Sequence, residues 1–90
     1  MAQARTTVAV HGFTPGEVTA GMPHLRAELA ERNLLGDVRW DEATGRLLVT
    51  VESADLGPRT TALHEDQVWD CVMACVNFSG KRIRFERVAN

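Results

Sequence analysis

The sequence lacks a long apolar run. Its longest, Val68 to Phe78, is interrupted by Asp70 and is far too short to span a bilayer. No signal-peptide hydrophobic region followed by a cleavage site appears in the opening MAQARTTVAV, so a cytoplasmic protein is expected. Neither sign of charge dominates. A formal net charge of −2 offers no overall attraction for phosphate backbones or anionic lipid, which argues against nucleic acid and membrane surfaces as partners. Cysteine is limited to Cys71 and Cys75, four apart in a helical stretch. That is not the dispersed framework of a small secreted disulfide fold, and a reducing compartment suits it. The Pro, Ser or Glu bias of a disordered segment is missing too, and no repeat, low-complexity tract or linker interrupts the chain. What is present, 44% hydrophobic and 24% charged residues in 90, is the composition of one globular domain with one core.

Hydrophobic periodicity then sets the order of elements. Thr7-Val8-Ala9-Val10-His11 alternates as a half-buried strand, with Val8 and Val10 on one side. Thr14-Pro15-Gly16-Glu17 combines an N-cap Thr, a Pro at the first helical position and a Glu three residues after the cap. In the helix that follows, Val18, Met22, Leu25 and Leu29 share one face, Arg26, Glu28, Glu31 and Arg32 face solvent, and Gly36 is a natural stop. Pro23 in its middle predicts a kink or break. Val38–Asp41 and Gly45–Glu52 form two strands around a short turn in which Gly45 supplies positive φ, with Val38, Trp40, Leu47, Val49 and Val51 inward. After the Gly57-Pro58 loop, Thr60 or Thr61 opens a second helix with Glu65 and Asp66 in its first turn. Its apolar arc takes in Val68, Trp69, Cys71, Val72, Cys75, Val76 and Phe78. Ser79-Gly80 turns the chain into a last strand, Arg82–Glu86, with Ile83 and Phe85 inward.

The resulting order, βαββαβ, implies an α+β domain of ferredoxin-like architecture, a four-stranded antiparallel sheet with both helices on one face. The other face is left open. By alternation it carries Ala9, His11, Arg39, Asp41, Leu48, Thr50, Arg82, Arg84 and Glu86, a polar surface of mixed charge.

Gly12-Phe13-Thr14, between the first strand and the first helix, resembles the Gly-Met-Thr that precedes the Cys-x-x-Cys of heavy-metal-associated domains, the copper and zinc chaperone modules. The likeness continues through Val38 to Asp41 and the hairpin Thr44-Gly45-Arg46-Leu47-Leu48-Val49, covering roughly the first half of the chain. It implies the ferredoxin-like fold. The positions of the family's thiolates hold Pro15 and Val18 here, which cannot bind a soft cation, so metal transfer at that loop is not expected. Acylphosphatases, similar in size and fold, place an essential Arg in the same loop. Residues 12 to 21 contain none, and the Asn residues are Asn33, Asn77 and the terminal Asn90.

Cys71 and Cys75 are the remaining metal candidates, since one helical turn brings two thiols within about 6 Å. His64 lies roughly 10 Å further along the axis and cannot join the same ion. Small core cysteines are the simpler reading, because free Cys is among the most buried residue types. No Ser or Cys lies near His11, His24 or His64 at a spacing that suggests an activated nucleophile, and single histidines in a domain of this size are usually surface or capping residues. The acidic pairs Asp41-Glu42 and Glu65-Asp66 fit a hairpin loop and a helix start.

The open face is therefore the expected functional surface. RNA-recognition domains of this topology stack bases on outward aromatics, whereas Ala9, His11, Leu48 and Thr50 occupy those places here. Leu48 amid Arg and Asp instead suits a two-fold contact with a second copy. The sequence thus reads as a small non-enzymatic interaction or regulatory module, self-associating through the open face or an edge strand, with another protein as the other possible partner. His11, Arg39, Thr50, Arg82 and Arg84 are the candidate contact residues, and no cofactor is expected. The alternatives are soft-metal binding through Cys71 and Cys75 and a small acylphosphatase-like hydrolase.

Overall fold

A computed structural model describes residues 3–32, 34–55, 57–75 and 83–88. Its elements are β1 (Gln3–His11), α1 (Pro15–Glu31), β2 (Leu35–Asp41), β3 (Arg46–Ala54), α2 (Thr60–Cys75) and β4 (Arg84–Val88). All three strand pairings are antiparallel, in the order β2-β3-β1-β4. This is the α+β, ferredoxin-like arrangement that the βαββαβ order implies. The core lies between the sheet and the helices, where Val8, Val10, Val38, Leu47, Val49 and Val51 from the strands meet Leu25, Leu29, Val68 and Val72. Ile83, Phe85, Met22 and Trp40 pack around it, half-buried. Neither helix is long and apolar enough to cross a membrane among the described residues.

The start of α1 follows its sequence signal. Thr14 Oγ1 accepts from the Glu17 N–H at 3.4 Å, and the Thr14 N–H donates to Glu17 Oε1 at 2.9 Å, completing a capping box. Replacing Thr14 by Ala is expected to cost about 1 kcal/mol in urea denaturation.

Several boundaries depart from the sequence reading. Helix α1 runs unbroken through Pro23, so the expected break is absent. The ring is exposed, as is Thr19, whose carbonyl loses its usual donor, while Leu25 and Leu29 anchor the following turns in the core. Gly36 does not stop the helix. α1 ends at Glu31 and Gly36 belongs to β2, with the chain turning earlier through Arg32, whose N–H donates to Glu28 O and Leu29 O. Glu65 and Asp66 lie beyond the first turn of α2, because the helix opens at Thr60. Trp69 is not part of a buried arc. It is 45% exposed and rests only its ring against Phe85, with centroids 4.6 Å apart. Val76 and Phe78 of the expected arc, and the Ser79-Gly80 turn, lie outside the described residues.

Two ties hold the layers in place at their polar margins. Arg32, which caps the end of α1, donates to Glu28 Oε1 at 3.2 Å and to Gln67 Oε1 on α2 at 2.8 Å. Arg87 on β4 pairs with Glu65 on α2.

Candidate functional site

The register assigns one sheet face to residues 5, 7, 9 and 11 of β1, 37, 39 and 41 of β2, 46, 48, 50 and 52 of β3, and 84, 86 and 88 of β4. Neither α1 nor α2 covers that face, since the inward set Val8, Val38 and Val49 is the one that forms the core with them. Of the candidate residues, His11, Arg39, Thr50 and Arg84 do share it, whereas Arg82 lies outside the described residues. They are not brought to one point. Arg39 projects from the β2 edge, Thr50 from the middle, and His11 and Arg84 face one another across β1 and β4.

The apolar floor of the face is not free for contact. Ala9 is wholly buried and Leu48 only 6% exposed, which corrects the expectation of Leu48 as an accessible docking residue. Long polar side chains flank both positions. Arg46 lies 3.6 Å through Nε from Asp41 Oδ2 and 3.5 Å through Nη1 from Glu86 Oε1, and the same Glu86 oxygen is 3.4 Å from His11 Nε2. Arg46 Nε is buried and has no hydrogen-bond partner, because 3.6 Å is too long for one. Asp41 also closes the hairpin, accepting from Thr44 Oγ1 at 2.7 Å and from the Ala43 N–H at 3.1 Å, while Gly45 takes φ 67°. The Thr44 hydroxyl, ahead of the Ala43 and Arg46 contacts, holds that carboxyl below its ordinary pKa. Thr50 is half-buried and its hydroxyl is 3.0 Å from that of Thr7. A shallow hollow of about 430 Å³ lies between β2 and this pair, bounded by Asp37, Arg39 and Arg46.

Among the described residues, four charged side chains on this face form no ion pair within the chain: Asp37, Arg39, Glu52 and Arg84. Two are basic and two acidic.

A second polar grouping went unseen in the sequence. His64 on α2 is 2% exposed, not a surface residue, and bridges β1 and β3: Nδ1 is 2.8 Å from Thr6 Oγ1 and Nε2 is 2.7 Å from Ser53 Oγ. The three residues are separated by many positions in the chain, so no spacing announces them. Their one visible signal is Thr6, an inward polar residue in a run of inward valines. Ser53 Oγ also reaches the Ala54 carbonyl at 3.2 Å, and when its proton goes there the histidine donates through Nε2 and Thr6 donates to Nδ1. That arrangement holds a neutral imidazole. Desolvation lowers the His64 pKa, and the Nδ1 partner is a hydroxyl and not a carboxylate, so nothing stabilises the imidazolium that a general base must become. The grouping ties three elements together instead of activating Ser53.

Cys71 is fully buried in the core and Cys75 half-buried. Burial pushes the Cys71 thiol up to about 11 and raises Cys75 as well. Among the described residues no group of three or more His, Cys, Asp or Glu side chains is placed to hold a metal ion. Cys71 is expected to stay unreactive toward a disulfide reagent at neutral pH in native protein and to react at once in denaturant. No protein-family model and no curated protein matches the chain.

Proposed function

We propose that this protein is a small non-enzymatic interaction module that associates with a second copy of itself through the open sheet face or an edge strand. The observation that supports the reading is the set of four charges, Asp37, Arg39, Glu52 and Arg84, without ion-pair partners among the described residues. Equal numbers of both signs on one surface suit a self-complementary contact, in which each copy answers the other's charges, better than they suit an anionic polymer or membrane. Light scattering across micromolar to sub-millimolar concentration tests it. The mass is expected to climb from 9.9 kDa toward twice that value and to fall back with added salt. A single species of 9.9 kDa throughout would overturn the proposal.

A further inference from the structure

Building on that reading, we infer that the contact is the free edge of β2, paired antiparallel with the same strand of a second copy in a register centred on Val38. β2 and β4 are the two edges of the sheet. An edge strand presents backbone donors and acceptors that a further strand can satisfy. On β2 the direction of those groups follows from two bonds. The Arg26 Nη2 donates to the Val38 carbonyl at 2.8 Å from α1, so that carbonyl points away from β3. Asp41 O, three residues on, accepts from Gly45 N–H at 2.8 Å within the hairpin. By alternation Gly36, Val38 and Trp40 turn their N–H and C=O groups to the free edge.

Charge then selects the register. A two-fold pairing centred on Gly36 leaves half the strand unmatched. Offsets that place Asp37 opposite Asp37, or Arg39 opposite Arg39, set like charges together, which is destabilising. Centring on Trp40 opposes Arg39 to Asp41, a carboxylate already held by Thr44, Ala43 and Arg46. Centring on Val38 matches the full length of Leu35–Asp41 and sets Asp37 of each copy opposite Arg39 of the other. Those are two of the four charges without partners. The β4 edge offers only Arg84–Val88 among the described residues, and its Glu86 is already committed to His11 and Arg46. Face-to-face stacking gains little, because Leu48 and Ala9 are already covered. Arg26 competes with this contact, because its Nη2 already donates to the Val38 O that the Val38 N–H of the second copy would reach.

Sedimentation velocity on the full chain, with circular dichroism as the check on folding, tests the register. Asp37→Arg and Arg39→Asp are each expected to weaken the dimer on the order of tenfold by opposing like charges, and the double swap to restore it. Arg26→Ala is expected to strengthen it. Hydrogen exchange on the wild type supplies a readout independent of any variant, with the Gly36, Val38 and Trp40 amides gaining protection as concentration rises. A dimer indifferent to the two single changes, or with those amides unprotected, would overturn the β2 register while leaving self-association standing. A monomer in every variant, Arg26→Ala included, would overturn both.

Discussion

Replacing His64 by Ala is expected to cost the fold about 3 kcal/mol, measured as the shift in urea midpoint at pH 8. The change removes a buried ring and leaves the Thr6 and Ser53 hydroxyls without the partner that joined β1, β3 and α2. The wild type carries a matching pH dependence. Desolvation depresses the native pKa of His64 below the 6.5 of the free side chain. Below pH 6.5 the unfolded chain takes up a proton that the folded protein resists, so stability falls with pH from that point and levels off once pH drops beneath the lowered native pKa. Neither hydrogen-bond partner carries a charge to offset the imidazolium. Thermal unfolding between pH 8 and pH 5 should therefore show a falling midpoint, and His64→Gln should remove this residue's share of the slope. A wild-type profile no steeper than that of the variant would contradict the assignment of His64 as a neutral buried strut.

The seam between α1 and β2 is expected to give an effect of similar size. Leu29 is 2% exposed, and Leu29→Ala should destabilise by about 3 kcal/mol through lost burial and the cavity left behind. A Cβ built on Gly36 would stand 3.0 Å from Leu29 Cδ1 and 3.1 Å from the Thr50 carbonyl oxygen. The leucine can yield but the strand backbone cannot, so Gly36→Ala should lose about 1 kcal/mol. The two changes share a contact, so the glycine substitution should cost less in the Leu29→Ala background, with a coupling of about 0.5 kcal/mol. Strict additivity in denaturant midpoints would mean that Gly36 is not held against Leu29. This seam also positions the β2 edge, since α1 carries both Leu29 and Arg26.

Much of the fold was legible because its signals are local. The Thr14 cap and Glu17 lie within one turn of each other. The alternation in β1 and β3 separates the core face from the open one without knowledge of any neighbour. What escaped was set by neighbours distant in the chain. Alternation predicts β1 from Thr7, and Thr6, in phase with Val8 and Val10, finds its role only once His64 is placed against it. Gly36 looks like a helix stop, and only its approach to Leu29 and Thr50 explains a glycine within a strand. Leu48 looks available on a solvent face, yet it is buried, with Arg39 opposite it on β2.

The sequence by itself determined the number and order of elements, the side of each strand that enters the core, and which face of the sheet stays uncovered. These follow from the period of apolar residues and from capping chemistry, which act over a few positions. Tertiary structure alone decided which polar groups find partners. It buried His64 between Thr6 and Ser53, committed Asp41, Arg46, Glu86 and His11 to one another, and left Asp37 and Arg39 on an edge strand without a counterion among the described residues. Hydrogen bonds and ion pairs act over a few ångströms in space, and the sequence does not state which residues the fold will bring that close.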